Sequence, residues 1–185
     1  MFSITKTGFD GLYIIESPYL TDNRGAFKKL FSSKEFESLS LDTDFKETYY
    51  SVNAKNVIRG MHFQTPPCDH TKIVYVICGR VVDVCLDLRK NSPTYGKYHE
   101  IQLTGVESKY LYIPKGFAHG FKSLEDNTIM HYMQTTCYSP ENDKGIRYDS
   151  FGYDWQISEP IISARDLKHP AFSDFNSPFT GSSHE

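Results

Sequence analysis

Nine short runs rich in β-branched and aromatic residues, each bounded by turn residues, constrain this chain more than any other feature. They cover residues 11–16, 26–31, 49–53, 57–63, 72–78, 80–88, 98–103, 109–113 and 129–137. Such side chains suit a pleated, half-buried surface. Turn chemistry separates the runs at Asp22-Asn23-Arg24-Gly25, Thr65-Pro66-Pro67, Cys78-Gly79-Arg80 and Lys90-Asn91-Ser92-Pro93. One short helix is predicted over 33–39, with Ser33 as its cap ahead of Glu35 and Glu37. Many closely spaced strands with almost no helix predict an all-β sandwich, jelly roll or barrel. A chain of 185 residues without internal repeats suffices for one full core. A single domain is therefore expected over 1–175, with a flexible tail over 176–185.

Several function classes are disfavoured at once. The formal net charge is −3 and no Lys/Arg cluster is present, which argues against a nucleic-acid footprint. The longest apolar run, Ile73-Val74-Tyr75-Val76-Ile77-Cys78, is far too short to span a bilayer, and the first residues lack a signal-peptide hydrophobic region. A soluble, cytoplasmic protein is expected. Cys68, Cys78, Cys85 and Cys137 form no Cys-x-x-Cys pair, so reduced packing thiols are expected rather than disulfides or zinc ligands.

Two stretches carry chemistry: Arg59-Gly60-Met61-His62-Phe63-Gln64 and Ile113-Pro114-Lys115-Gly116-Phe117-Ala118-His119-Gly120-Phe121. Each sets a lone histidine beside glycine among strand-type apolar residues, so two imidazoles can converge inside one β-structure. A lone strand histidine is, by residue type, more often a hydrogen-bonded interior or surface group than a base. Lys72 is ambiguous in the same way. At a strand start it is ordinarily a solvated edge guard. Period-2 spacing, however, puts it on one face with Val74, Val76 and Cys78, and a lysine on a barrel-lining face is buried and calls for a function.

These stretches, together with Asp22-x-Arg24-Gly25, Lys72, Val82-Asp83-Val84, Asp87-Leu88-Arg89, Ser92-Pro93-Thr94-Tyr95-Gly96 and Ser163-Ala164-Arg165-Asp166, resemble the dTDP-4-dehydrorhamnose 3,5-epimerase family in order and spacing from residue 8 to about 170. The resemblance implies a cupin-type jelly roll with a few short helices. It also implies a homodimer that exchanges N-terminal segments, a nucleotide-sugar substrate, and a site inside the barrel without cofactor or metal.

Epimerisation next to a ketone removes an acidified proton from one face, holds an enolate and returns a proton to the other. Imidazole is mostly neutral at working pH, which makes His62 the natural base, and a lysine charge in a low-dielectric cavity stabilises the enolate oxygen, the role read for Lys72. From the resemblance alone, Asp166 orients His62, Tyr132 donates the returning proton, and His119 lies near the substrate and its diphosphate. Read from residue type, Asp166 is equally a cap or turn residue, and Tyr132 is one of 13 tyrosines, most of them packing groups. The resemblance further places Arg24, Phe27, Arg59, Tyr138 and Asp143 against the substrate.

Departures from the family pattern fall in the nucleotide-facing shell. Lys29 and Asp143 stand where glutamates are usual, and Glu47-Thr48-Tyr49-Tyr50-Ser51 replaces a Gln-x-Asn-x-Ser run. With Glu47 and Tyr49 in contact with the base, a changed nucleotide preference is expected, with CDP- or GDP-sugars as alternatives to the dTDP-sugar. Two other readings remain open. A metal-dependent cupin would need converging ligands, with His70, His99 and Glu100 available but Gln64 and Lys72 in unhelpful places. A catalytically silent sugar-binding jelly roll would have no need of His62, Lys72 and Tyr132 together.

Overall fold

The computed structural model describes residues 1–181. Its strands are β1 (Ser3–Lys6), β2 (Tyr13–Glu16), β3 (Tyr19–Asp22), β4 (Gly25–Lys28), β5 (Glu47–Asn53), β6 (Ile58–Gln64), β7 (Lys72–Cys78), β8 (Arg80–Asp87), β9 (Tyr98–Thr104), β10 (Lys109–Ile113), β11 (Phe117–Ser123), β12 (Thr128–Gln134) and β13 (Asp143–Gly145). They form a six-stranded sheet, β1-β2-β10-β7-β12-β5, and a five-stranded sheet, β13-β6-β11-β8-β9, with β3 and β4 as a separate hairpin. All strand pairings are antiparallel. The all-β jelly roll expected from the sequence is the architecture observed.

Alternation explains the layering. Val74, Val76, Met130 and Tyr132 of one sheet pack against Val81, Cys85, Phe117 and Phe121 of the other to form the central core. The outer faces are covered by chain. Helix α1 (Ser33–Ser38) buries Phe36 with Ile15, Ile73 and Tyr110 behind the six-stranded sheet. Trp155, Phe151 and Phe179 close over Ile58, Met61, Phe63 and Leu86 behind the five-stranded sheet.

Several local expectations are corrected. The helix is capped at Ser32, not Ser33, without a side-chain cap bond. Residues 176–181 are not a loose tail: Ser177 and Phe179 are buried, and the Lys90 amide donates to the Phe179 carbonyl at 3.0 Å. The remainder of that expected tail lies outside the described residues. The four cysteines are free, but only Cys85 is a buried packing thiol, since Cys78 and Cys137 are exposed. No helix among the described residues is long and apolar enough to cross a membrane. The motif Ser92-Pro93-Thr94 proves structural: Asp87 accepts from Ser92 Oγ, Thr94 Oγ1 and Arg89 Nη2 at 2.7, 2.6 and 2.8 Å, and the Arg89 guanidinium lies over Phe117.

Candidate active site

A cavity of about 380 Å³ opens between the two sheets. Its chemistry follows from which residues alternate inward. On β7, Lys72 points inward in line with Val74 and Val76 and is 6% exposed, so the period-2 reading of the sequence holds for these three but not for Cys78, which is exposed at the strand end. On β12, Tyr132 and Gln134 face the cavity, while Met133 packs on the outer face. On β11, His119 faces in and Ala118 faces out.

Strand β6 breaks the alternation. Arg59 and His62 both line the cavity although they are three residues apart, a spacing that places two side chains on opposite faces of a regular strand. The register of β6 against β11 shifts between His119 and Phe121, and Gly60 adopts φ of +136°. A Cβ on Gly60 would sit 2.5 Å from Gly120 Cα, so glycine at both positions allows the close approach that turns the strand.

Two imidazole–carboxylate pairs result, on neighbouring strands in register. His62 Nε2–H donates to Asp166 Oδ1 at 2.8 Å, leaving Nδ1 as the unprotonated nitrogen. Asp166 stands behind His62 rather than on the cavity wall, and its Oδ2 accepts from the Gly60 amide at 3.3 Å. His119 Nε2–H donates to Asp83 Oδ2 at 2.8 Å, with Asp83 wholly buried. Across the cavity, Tyr132 OH lies 3.2 Å from Ser51 Oγ, and the Tyr49 ring stacks on Tyr132 at 4.7 Å. His62 and Tyr132 therefore approach the cavity from opposite sheets.

Burial sets the protonation states. It pushes the His62 imidazole below its ordinary value despite the upward pull of Asp166, and Lys72 and Arg165 add to the lowering. It lowers the Lys72 ammonium to about 8. It pushes the Tyr132 phenol above its ordinary value. For Asp166, burial acts to raise the pKa, but the facing imidazoles of His169 and His62 and the Gly60 amide overcome it and hold the carboxyl well below its usual range.

The outer part of the cavity is polar. Arg59 Nε donates to Asn53 Oδ1 at 2.7 Å, and Arg165 pairs with Asp143 at 2.7 Å. Glu47 Oε2 accepts from Gln134 Nε2 at 3.2 Å and from the Tyr138 amide at 2.9 Å. Of the residues expected at the site, His62, Tyr132, Lys72, His119, Arg59, Glu47, Tyr49, Tyr138 and Asp143 line this cavity, with Asp166 directly behind. Arg24 and Phe27 do not join them. They sit on the exposed β3–β4 hairpin, where Arg24 pairs with Asp22 at 2.5 Å. Lys29 is also exposed and away from the cavity lining.

Sequence reasoning assigned no role to Asp83, Ser51 or His169. Asp83 had a signal, a single carboxylate in Val81-Val82-Asp83-Val84-Cys85, whereas His169 had none. The ligands considered for a metal cupin do not converge: His99 packs edge-on against Phe9, Glu100 accepts from Tyr153 OH at 2.5 Å, and only His70 lines the cavity. A second, more open groove of about 520 Å³ borders Asp42 and Arg89, whose charges are engaged by Tyr112, Thr71 and Asp87.

A jelly roll whose interior carries a buried lysine and two histidine–carboxylate pairs, with a tyrosine facing them from the opposite sheet, defines a cupin-type protein with an acid–base site. Residues 6–174 match the family dTDP-4-dehydrorhamnose 3,5-epimerase. The Methanothermobacter thermautotrophicus protein of that name is 40% identical over 170 residues, covering 89% of this chain and 91% of the relative. Crystal structures of the enzyme from Bacillus anthracis, with TDP and PPi bound, and of a dTDP-6-deoxy-D-glucose-3,5-epimerase from Legionella pneumophila, in complex with dTDP-4-keto-L-rhamnose, superpose with TM-scores of 0.89 and 0.90. Both are 33% identical; the first covers 92% of this chain and 99% of its own, the second 95% of each. The chain belongs to the dTDP-4-dehydrorhamnose 3,5-epimerase family.

Proposed function

We propose that this chain inverts C3, C5 or both in a dTDP-linked 4-keto-6-deoxy sugar by proton removal and return through an enolate. The observation that carries this reading is the placement of the His62–Asp166 pair and Tyr132 on opposite sheets across one cavity, with Lys72 buried in its wall. His62 Nδ1 takes the proton next to the ketone, and Asp166 stabilises the imidazolium that forms. The Lys72 ammonium offsets the developing enolate charge where water is excluded. Tyr132, kept protonated by burial, returns a proton from the other face.

Arg59 and His119 are suited to the diphosphate and sugar, and Tyr138 to stacking on the base. Arg24 and Phe27 reach a site only if the β3–β4 hairpin crosses to a second copy, so the functional unit is proposed to be a homodimer with exchanged N-terminal segments. The proposed location is the cytoplasm, where sugar nucleotides are made. Thymidine is the proposed nucleotide, supported by the dTDP-sugar bound in the Legionella relative. Of the departures from the family pattern, Lys29 lies off the cavity and Glu47 is already engaged by Gln134 and Tyr138, which weakens the case for another base.

The test is a panel of dTDP-, CDP- and GDP-linked 4-keto-6-deoxy sugars incubated in deuterated water. Mass gain with inversion on the dTDP substrate is expected. Absence of exchange on every member would overturn the reading, and exchange confined to a CDP- or GDP-sugar would reassign the nucleotide.

A further inference from the structure

His169 does not line the cavity, and the reaction proposed above gives it no step of its own. Its Nε2 is buried without a hydrogen-bond partner and sits 3.6 Å from Asp166 Oδ1, the same oxygen that His62 Nε2 meets at 2.8 Å. The His62 and His169 rings are 5.7 Å apart and nearly perpendicular. His62, Asp166 and His169 each offer a ligand-type atom within 4.8 Å of the other two, the one such group among the described residues. The sequence makes room for this ring. A Cβ on Gly145 would meet His169 Cδ2 and Nε2 at 2.4 Å, so only glycine on β13 lets the imidazole occupy this place. Backbone bonds fix the segment on both sides, with the Arg147 amide donating to the Pro170 carbonyl at 2.9 Å.

Two imidazoles and a carboxylate are the donor set that borderline divalent ions such as zinc and cobalt prefer, and bonds of about 2.0–2.2 Å can span the 2.8 and 3.6 Å that separate Asp166 Oδ1 from His62 Nε2 and His169 Nε2. We propose that His62, Asp166 and His169 form a binding site for a divalent transition-metal ion, zinc or cobalt, and that its occupancy disables the His62 base. On binding, His62 changes tautomer: the Nε2 proton leaves to solvent and Nδ1 takes one up, so the neutral ring bonds the metal through Nε2 and Nδ1 no longer has a free lone pair for the substrate proton. The ion replaces the His62–Asp166 hydrogen bond. The nearby cations oppose the ion only in part: Arg165 is neutralised by Asp143, and Lys72 lies across the cavity wall. The fourth position is left to water or to an anion from the cavity. The metal is an inhibitor here, not a cofactor.

The inhibitory half of the proposal rests on the epimerase reading, and the binding half does not. Cobalt titrated into the full chain should therefore give a saturable visible absorption band of low-coordinate cobalt at one ion per chain. His169→Ala should weaken that binding about 10- to 100-fold or more, and His169→Gln, which keeps the volume but not the imidazole, should weaken it as much. Zinc should stop solvent-deuterium exchange in the unsubstituted protein, reversibly on chelation. Both His169 variants should need correspondingly more zinc, each measured against its own metal-free rate. No saturable cobalt band, or equal affinity in the His169 variants, would overturn the site. Binding without inhibition of an exchanging enzyme would overturn the assigned consequence. Binding in a protein that exchanges no substrate would keep the site and remove the epimerase reading instead.

Discussion

A neutral imidazole, a charged ammonium and an un-ionised phenol are the protonation states that proton removal and return require at neutral pH. Burial supplies the first and the last by lowering His62 and raising Tyr132. For Lys72 burial works against function, because its lowering to about 8 brings loss of charge close to working pH. The signs define a bell. Activity should fall on the acid side as His62 gains a proton, below the ordinary imidazole value of about 6.5, and on the alkaline side as Lys72 loses one. A guanidinium stays charged past pH 12, so Lys72→Arg should lower the rate but carry the alkaline limb upward. An unmoved limb would assign that limb to another group. Tyr132→Phe should still exchange solvent deuterium into the substrate while forming little inverted product, and loss of both in a folded variant would make Tyr132 a positioning group. At this scale the sequence was most legible where polarity conflicts with its surroundings. Lys72 in an apolar strand announced itself. Asp166 and Tyr132 did not, since a loop aspartate and one tyrosine among many carry no local sign of what they face.

Within single elements, alternation accounts for most of what was readable and irregularity for most of what was missed. The runs that became β7, β8, β10 and β12 keep apolar residues on buried faces, and their existence and type followed from that. Strand β11 shows in the sequence only as a histidine motif, because Phe117-Ala118-His119-Gly120-Phe121 is buried on both faces and interrupted by glycine, which erases the period. Strand β3 is exposed along its length and β13 has three residues, so neither has a pattern to read. The break in β6 is the most consequential irregularity, since without it Arg59 and His62 would face apart. Gly60→Ala should force β6 away from Gly120 and cost about 2–3 kcal/mol. The midpoint of thermal unfolding should fall by about 4–12 °C, with activity lost beyond what the unfolded fraction explains. A variant with unchanged melting and full activity would contradict the close β6–β11 approach.

Across the whole molecule, the jelly roll brings to one cavity residues from 47 to 166 that no local pattern links. Arg24 and Phe27 are the exception, exposed on a hairpin outside the cavity that the rest of the proposed site lines. If that hairpin completes a partner's site, Arg24→Ala and His62→Asn homodimers should each be nearly inactive, and mixing them under subunit exchange should restore activity. A mixed dimer then holds one site with both native residues. Failure to complement, with mixed dimers verified, would leave each site built from a single chain. The central claim, that His62 removes the substrate proton inside this cavity, is tested most directly by solvent-deuterium incorporation into the dTDP-linked 4-keto sugar with His62→Asn. No deuterium should enter at C3 or C5 while dTDP binding stays measurable. Near-normal incorporation by this folded variant would contradict it.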